Sequence, residues 1–100
     1  MKIVQVVPKF GVKEKLKTLL NNKEKELRKR GTTFHREKAG RWKHLRYPGS
    51  IKWDAEKGGM LIAEIHPKKG TSDWQLLLAF VGYLDRHLDK SIDCISIYYR

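Results

Sequence analysis

Two periods alternate along the chain, and the changes between them outline its elements. Residues 2–7 are β-branched and apolar apart from Lys2 and Gln5, which predicts a strand ended by Pro8, a residue that cannot donate to a ladder. From Gly11 to about Arg30 the spacing turns helical, with Val12, Leu16, Leu19, Leu20 and Leu27 on one stripe and Gly31 as the candidate C-cap. Asn21-Asn22 is the place for a kink in that helix.

Residues 32–66 read as a β meander. Gly40 turns a hairpin between 32–37 and 41–46, so that Arg36 faces Trp42 and Phe34 faces His44. Pro48-Gly49 fits the centre of a type II turn, and Lys57-Gly58-Gly59 fits a second tight connection. From Met60 to His66 the period is two: Leu61, Ala63 and Ile65 share one face, and Ile62, Glu64 and His66 the other. A second helix opens at Thr71, Ser72 or Asp73 and carries Trp74, Leu77, Leu78, Val81, Leu84 and Leu88 as a stripe. Leu76, Phe80 and Tyr83 fall outside that stripe, so this helix is apolar nearly all round. Such a helix is deeply buried or meets a second subunit. The last strand, Ile92 to Tyr99, alternates Ile95, Ile97 and Tyr99 against Cys94, Ser96 and Tyr98.

The order is therefore β-α-β-β-α-β with an enlarged central ribbon. It predicts an α+β domain over residues 1–100, a ferredoxin-like sandwich whose two helices cover one face of an antiparallel sheet. At 100 residues and 40% hydrophobic, the chain can build one modest core without disulfides. The apolar run from Leu76 to Val81 is far shorter than the roughly 20 residues of a membrane span. Cys94 is the single cysteine, which fits a reducing cytoplasm and predicts a buried, inert thiol beside Asp93.

Charge changes the picture more than any motif does. Residues 1–53 hold 16 Lys/Arg against 4 Asp/Glu, and residues 54–100 hold 6 against 7. The excess positive charge lies in the first half, where nucleic acid or an acidic protein would feel a directed field. It is densest at Arg28, Lys29, Arg30, Arg36, Lys38, Arg41, Lys43, Arg46 and Lys52. Cations release counterions from phosphates, and an interleaved aromatic such as Trp42 can stack on bases for roughly 1–3 kcal/mol. These residues form the expected nucleic-acid site, with little sequence specificity. The same charges also fit a plain solvated face, or adaptation to heat in a chain with two Asn and two Gln.

A second candidate site follows from the alternation. If Leu61, Ala63 and Ile65 meet the helices, then Gln5, Glu64, His66 and Tyr98 share the open side of the sheet. A carboxylate beside an imidazole there suits acid–base work. A dimer interface is the competing use of that open side, which makes a homodimer the alternative to nucleic-acid binding. His35, His44, His66 and His87 show no metal-ligand spacing, and no cofactor motif is present. Asp85, Arg86 and His87 are expected to serve the end of the second helix.

The run Gly40-Arg41-Trp42-Lys43-His44-Leu45-Arg46-Tyr47-Pro48-Gly49, followed by Ile62–Lys69, resembles the small ribosome-dependent ribonuclease toxins. They are similarly basic, with a Trp-x-x-Leu-Arg-like strand and a later Lys pair. The resemblance spans about thirty residues. It implies RNA cleavage aided by Arg46, Lys68 and Lys69. The chain lacks that family's second N-terminal helix and adds a final strand.

Overall fold

The computed structural model describes residues 1–31, 33–38, 41–53 and 59–100. It is an α+β structure: strand β1 (Lys2–Pro8), helix α1 (Leu16–Arg28), strands β2 (Phe34–Lys38), β3 (Arg41–His44), β4 (Ser50–Trp53) and β5 (Leu61–His66), helix α2 (Trp74–Leu88) and strand β6 (Ile92–Tyr99). The strands form one antiparallel sheet in the order β2-β3-β4-β5-β1-β6. No helix among the described residues is long and apolar enough to cross a membrane.

Alternation sorts the sheet into two faces. Val4, Val6, Leu61, Ala63, Ile65 and Ile51 point to one side and are fully buried. They form a single cluster with Leu16 and Leu20 of α1 and with Leu76, Leu77, Phe80, Tyr83, Leu84 and Leu88 of α2. The other side carries Ile3, Gln5, Ile62, Glu64 and His66, all half-buried, since no described element lies over them. Lys2 at the start of β1 forms an ion pair with the largely buried Asp73, joining that strand to the start of α2. Asp73 is thereby diverted from capping, and the Ser72 hydroxyl accepts the Trp74 N–H instead at 3.2 Å.

Three expectations change. Helix α1 starts at Leu16 rather than near Gly11, so Val12 precedes it, and it runs through Asn21-Asn22 to Arg28. The buried side of α2 is rotated: Leu76, Phe80 and Tyr83 are in the core, while Trp74 and Leu78 remain 55% and 48% exposed. Cys94 is exposed, because its side chain belongs to the uncovered face of an edge strand. The Gly40 turn and Lys57-Gly58 lie outside the described residues.

Candidate nucleic-acid interface

The β2–β3 ribbon pairs as its sequence predicts, with Phe34 opposite His44 and Arg36 opposite Trp42. Its placement differs from that of an exposed ribbon offering Trp42 to bases. Phe34 and Trp42 are buried, and both rings meet the edge of Tyr83 on α2, at centroid distances of 5.2 and 5.8 Å. Phe34 also meets Phe80 at 6.2 Å. Burial of Trp42 removes it as a stacking platform: its ring is committed to the core and no base can reach it.

The basic residues separate onto two sides. Arg41, Lys43 and Lys52 are exposed on the open face, where Arg41 pairs with Lys52 and Lys52 with Glu64 across the strands. Lys43 lies 3.7 Å from Glu37, which in turn is 3.9 Å from His35. On the helix side, half-buried Arg36 shares its face with Trp42, and exposed Lys29 and Arg30 follow the end of α1. Arg28 is held differently: its Nε donates to Glu24 Oε2 at 2.8 Å and its Nη2 donates to Glu24 Oε1. Glu24 is fully buried, and this fork raises the Arg28 pKa further above its ordinary value. The Lys38 side chain lies outside the described set.

Two grooves flank the β3–β4 loop, residues 45–49. The one toward the open face is about 480 Å³ and is lined by Arg41, Lys43, Ser50, His66 and Lys68. The one toward the helices is about 600 Å³ and places Arg46 with Arg86, Thr33 and Gln75. His44 and Tyr47 line both. No described residue lining either groove is acidic; Glu37 and Glu64 lie just outside the open-face groove, against its lining residues Lys43 and His66.

The loop itself is tightly held. The His44 and Tyr47 rings stack at 4.6 Å with an interplanar angle of 18°. His44 Nδ1 accepts the backbone N–H of Arg46 at 3.0 Å and that of Tyr47 at 3.3 Å. Two donors on one nitrogen require it to be unprotonated there. Burial, then the cations of Arg46 and His35, lowers the His44 pKa and favours that form. Gly49 closes the loop at φ +110°, and any Cβ at this position would collide with the His66 carbonyl oxygen. The predicted turn residue is thus also a contact residue, letting the loop press against the end of β5.

The four open-sheet residues share a face and form two hydrogen-bonded pairs. His66 Nε2 lies 2.8 Å from Glu64 Oε1, and Tyr98 Oη donates to Gln5 Oε1 at 2.9 Å. Ile3 lies between them, paired with Glu64 on one side and Tyr98 on the other. His66 therefore belongs with the basic groove rather than with Tyr98. Arg86 was expected to serve only the end of α2, yet it forms a groove wall. Its helical spacing from Gln75 and Ala79 was the available signal. Among the described residues no group of His, Cys, Asp and Glu is arranged to hold a metal. Comparison with known proteins finds no match among family models, curated proteins or solved structures.

Proposed function

We propose that this chain binds nucleic acid through its phosphates, with the two grooves beside residues 45–49 at the centre of the contact. The supporting observation is that Arg41, Lys43 and Lys68 line the groove on one side of the loop, and Arg46 and Arg86 the groove on the other, with no acidic residue among the described lining of either. A phosphodiester backbone passing over the loop finds cations on both flanks, with Lys52, Arg36, Lys29 and Arg30 extending the field outward. Each phosphate neutralised releases counterions, which favours association irrespective of base. Tyr47, half-buried and stacked on His44, takes over from Trp42 as the aromatic next to the path.

The position of β1 between β5 and β6, with β4 beyond β5, supports reading the sheet as ferredoxin-like and extended by β3 and β2. The exposed Cys94 thiol suits a reducing cytoplasm. An acidic protein would answer the same field; the flanked loop, open on two sides, suits a continuous polyanion better.

Paired charge reversals test the assignment. Arg46→Glu with Arg86→Glu removes one groove, and Arg41→Glu with Lys43→Glu removes the other. Each pair is expected to weaken binding to a labelled oligonucleotide at least tenfold while leaving the melting temperature near that of the parent. Parental affinity in both would refute the assignment.

One observation favours a second reading, phosphodiester cleavage. The Glu64–His66 pair adjoins the groove that holds Arg41 and Lys68, which sets an acid–base group beside cations suited to a phosphate. Arg46 would act from across the loop, and Lys69 follows Lys68. Hydrolysis of labelled RNA that disappears in His66→Ala would support it, and intact RNA after prolonged incubation with the parent would eliminate it.

A further inference from the structure

The sheet ends in two very different edges. β2 lies in the most basic part of the chain: residues 28–46 hold eight Lys/Arg and one Glu. β6 lies at the other end, in a segment that is electrically balanced, with Asp85, Asp89 and Asp93 against Arg86, Lys90 and Arg100 across residues 74–100. β6 is eight residues long and contains no lysine, arginine or proline. Among the described residues nothing pairs with its outer side. Asp93 and the register shift at the start of the strand guard only that end; from Cys94 to Tyr99 the edge carries no charge, and such an edge is a template for another strand.

The helix beside it is also unfinished. Asp85 and Ile95 line a common hollow, so this flank of α2 faces β6. Trp74 and Val81 lie on the same flank by helical spacing. At the other end of β6, Lys2 pairs with Asp73 and its ammonium sits 5.4 Å from the centre of the Tyr99 ring, which brings the start of α2 next to the strand's end. Trp74, Leu78, Ile97, Tyr98 and Tyr99 are all more than a third exposed. On the helix side Trp74, Ile97 and Tyr99 leave apolar surface open toward this edge, while Leu78 turns outward and borders the groove beside residues 45–49.

We infer that the occupant of this edge is a second copy of the chain, joined by antiparallel β6–β6 pairing about a two-fold axis at Ser96. A two-fold axis normal to the sheet keeps each residue on its own face, so residues of equal parity must oppose one another. Centring on Ser96 sets Ile95 against the partner copy's Ile97 on the helix side and Cys94 against the partner copy's Tyr98 on the open side. Asp93 and Arg100 then fall at the ends of the pairing, opposite the partner copy's Tyr99 and Ile92, outside its Cys94–Tyr98 centre. Centring on Ile95 would oppose Asp93 to Ile97, an unfavourable pair. Charge selects the edge as well: two β2 edges would bring like charges together, whereas the β6 end of the sheet is electrically balanced and meets a second copy without that repulsion. The resulting dimer carries its basic grooves at opposite ends of one continuous sheet, and the division of charge along the sequence becomes a division between a contact edge and an interface edge.

The test needs no nucleic acid and so stands apart from the binding proposal. Sedimentation of the full chain is expected to give twice the chain mass at micromolar concentration, shifting to the single mass for Ile97→Lys. To guard against a variant that merely misfolds, Cys94→Ser/Ser96→Cys places one thiol on the axis. Under mild oxidation it is expected to form covalent dimers, which a Cys94→Ser/His35→Cys control on β2 does not form. A parent that stays monomeric at all concentrations overturns the inference. So does a dimer in which the residue 96 thiols cross-link no faster than the control.

Discussion

Arg28 grips both carboxylate oxygens of Glu24 one helical turn before it, and Glu24 is wholly buried beneath α1. An acid and a base that look like two members of a solvated helix face are therefore a unit that anchors the helix to the core. The pair takes one cation out of the set free to meet phosphate. Arg28→Ala leaves the buried carboxylate uncompensated, whereas Glu24→Leu removes the charge and fills the space. Thermal denaturation should show a clear loss of melting temperature in the first variant and little change in the second. Affinity for nucleic acid should fall less in Arg28→Ala than in Arg46→Ala.

Trp42 supplies the sharpest test of the corrected site. Trp42→Ala empties a large, fully buried position and is expected to cost about 3–5 kcal/mol of stability by denaturant titration. Trp42→Phe keeps most of the packing and should bind nucleic acid as the parent does. Loss of binding in a stably folded Trp42→Phe chain would restore the stacking role that the core position rules out.

Gly49 joins a left-handed backbone to a close approach, so Gly49→Ala should be destabilising by about 2 kcal/mol or more. The grooves on either side of the loop depend on that approach. Chemical denaturation measures the first effect, and weakened oligonucleotide binding by the folded fraction measures the second.

The acid dependence of stability follows from His44 and His87. Burial is the first cause that lowers both pKa values. Nearby cations reinforce it, Arg46 and His35 for His44 and Arg86 and Lys23 for His87, with Glu26 opposing at His87. As pH falls the unfolded chain takes up these protons first. The stability is present above the ordinary histidine pKa of about 6.5 and is lost between that value and the lower folded values. Melting temperature should decline below about pH 6.5, and His44→Asn, which keeps an acceptor for the Arg46 N–H, should decline less.

Local alternation made much of this fold legible. β5, and β6 from Cys94 onward, could be read residue by residue because period two survives there, and the Phe34–His44 and Arg36–Trp42 pairings follow from hairpin geometry. The fate of the ribbon could not be read the same way. Phe34 and Trp42 are two apolar positions among Arg36 and His44, and they become core only because Phe80 and Tyr83 are brought over them from a distant helix. The orientation of α2 was hidden for a related reason: with apolar residues nearly all round, periodicity does not choose between Trp74 and Tyr83. Charge points to the half of the chain that supplies most of the proposed site. The grooves, however, need Arg86 and Lys68 from the other half, which tertiary packing alone delivers.

Fluorescence anisotropy with labelled single-stranded RNA, single-stranded DNA and duplex DNA, each from about 50 to 300 mM salt, tests the central claim most directly. The account predicts binding whose logarithmic affinity falls linearly and steeply with the logarithm of salt concentration. The slope should become shallower when Arg46 and Arg86 are reversed. No binding to any of the three at the lowest salt would contradict it.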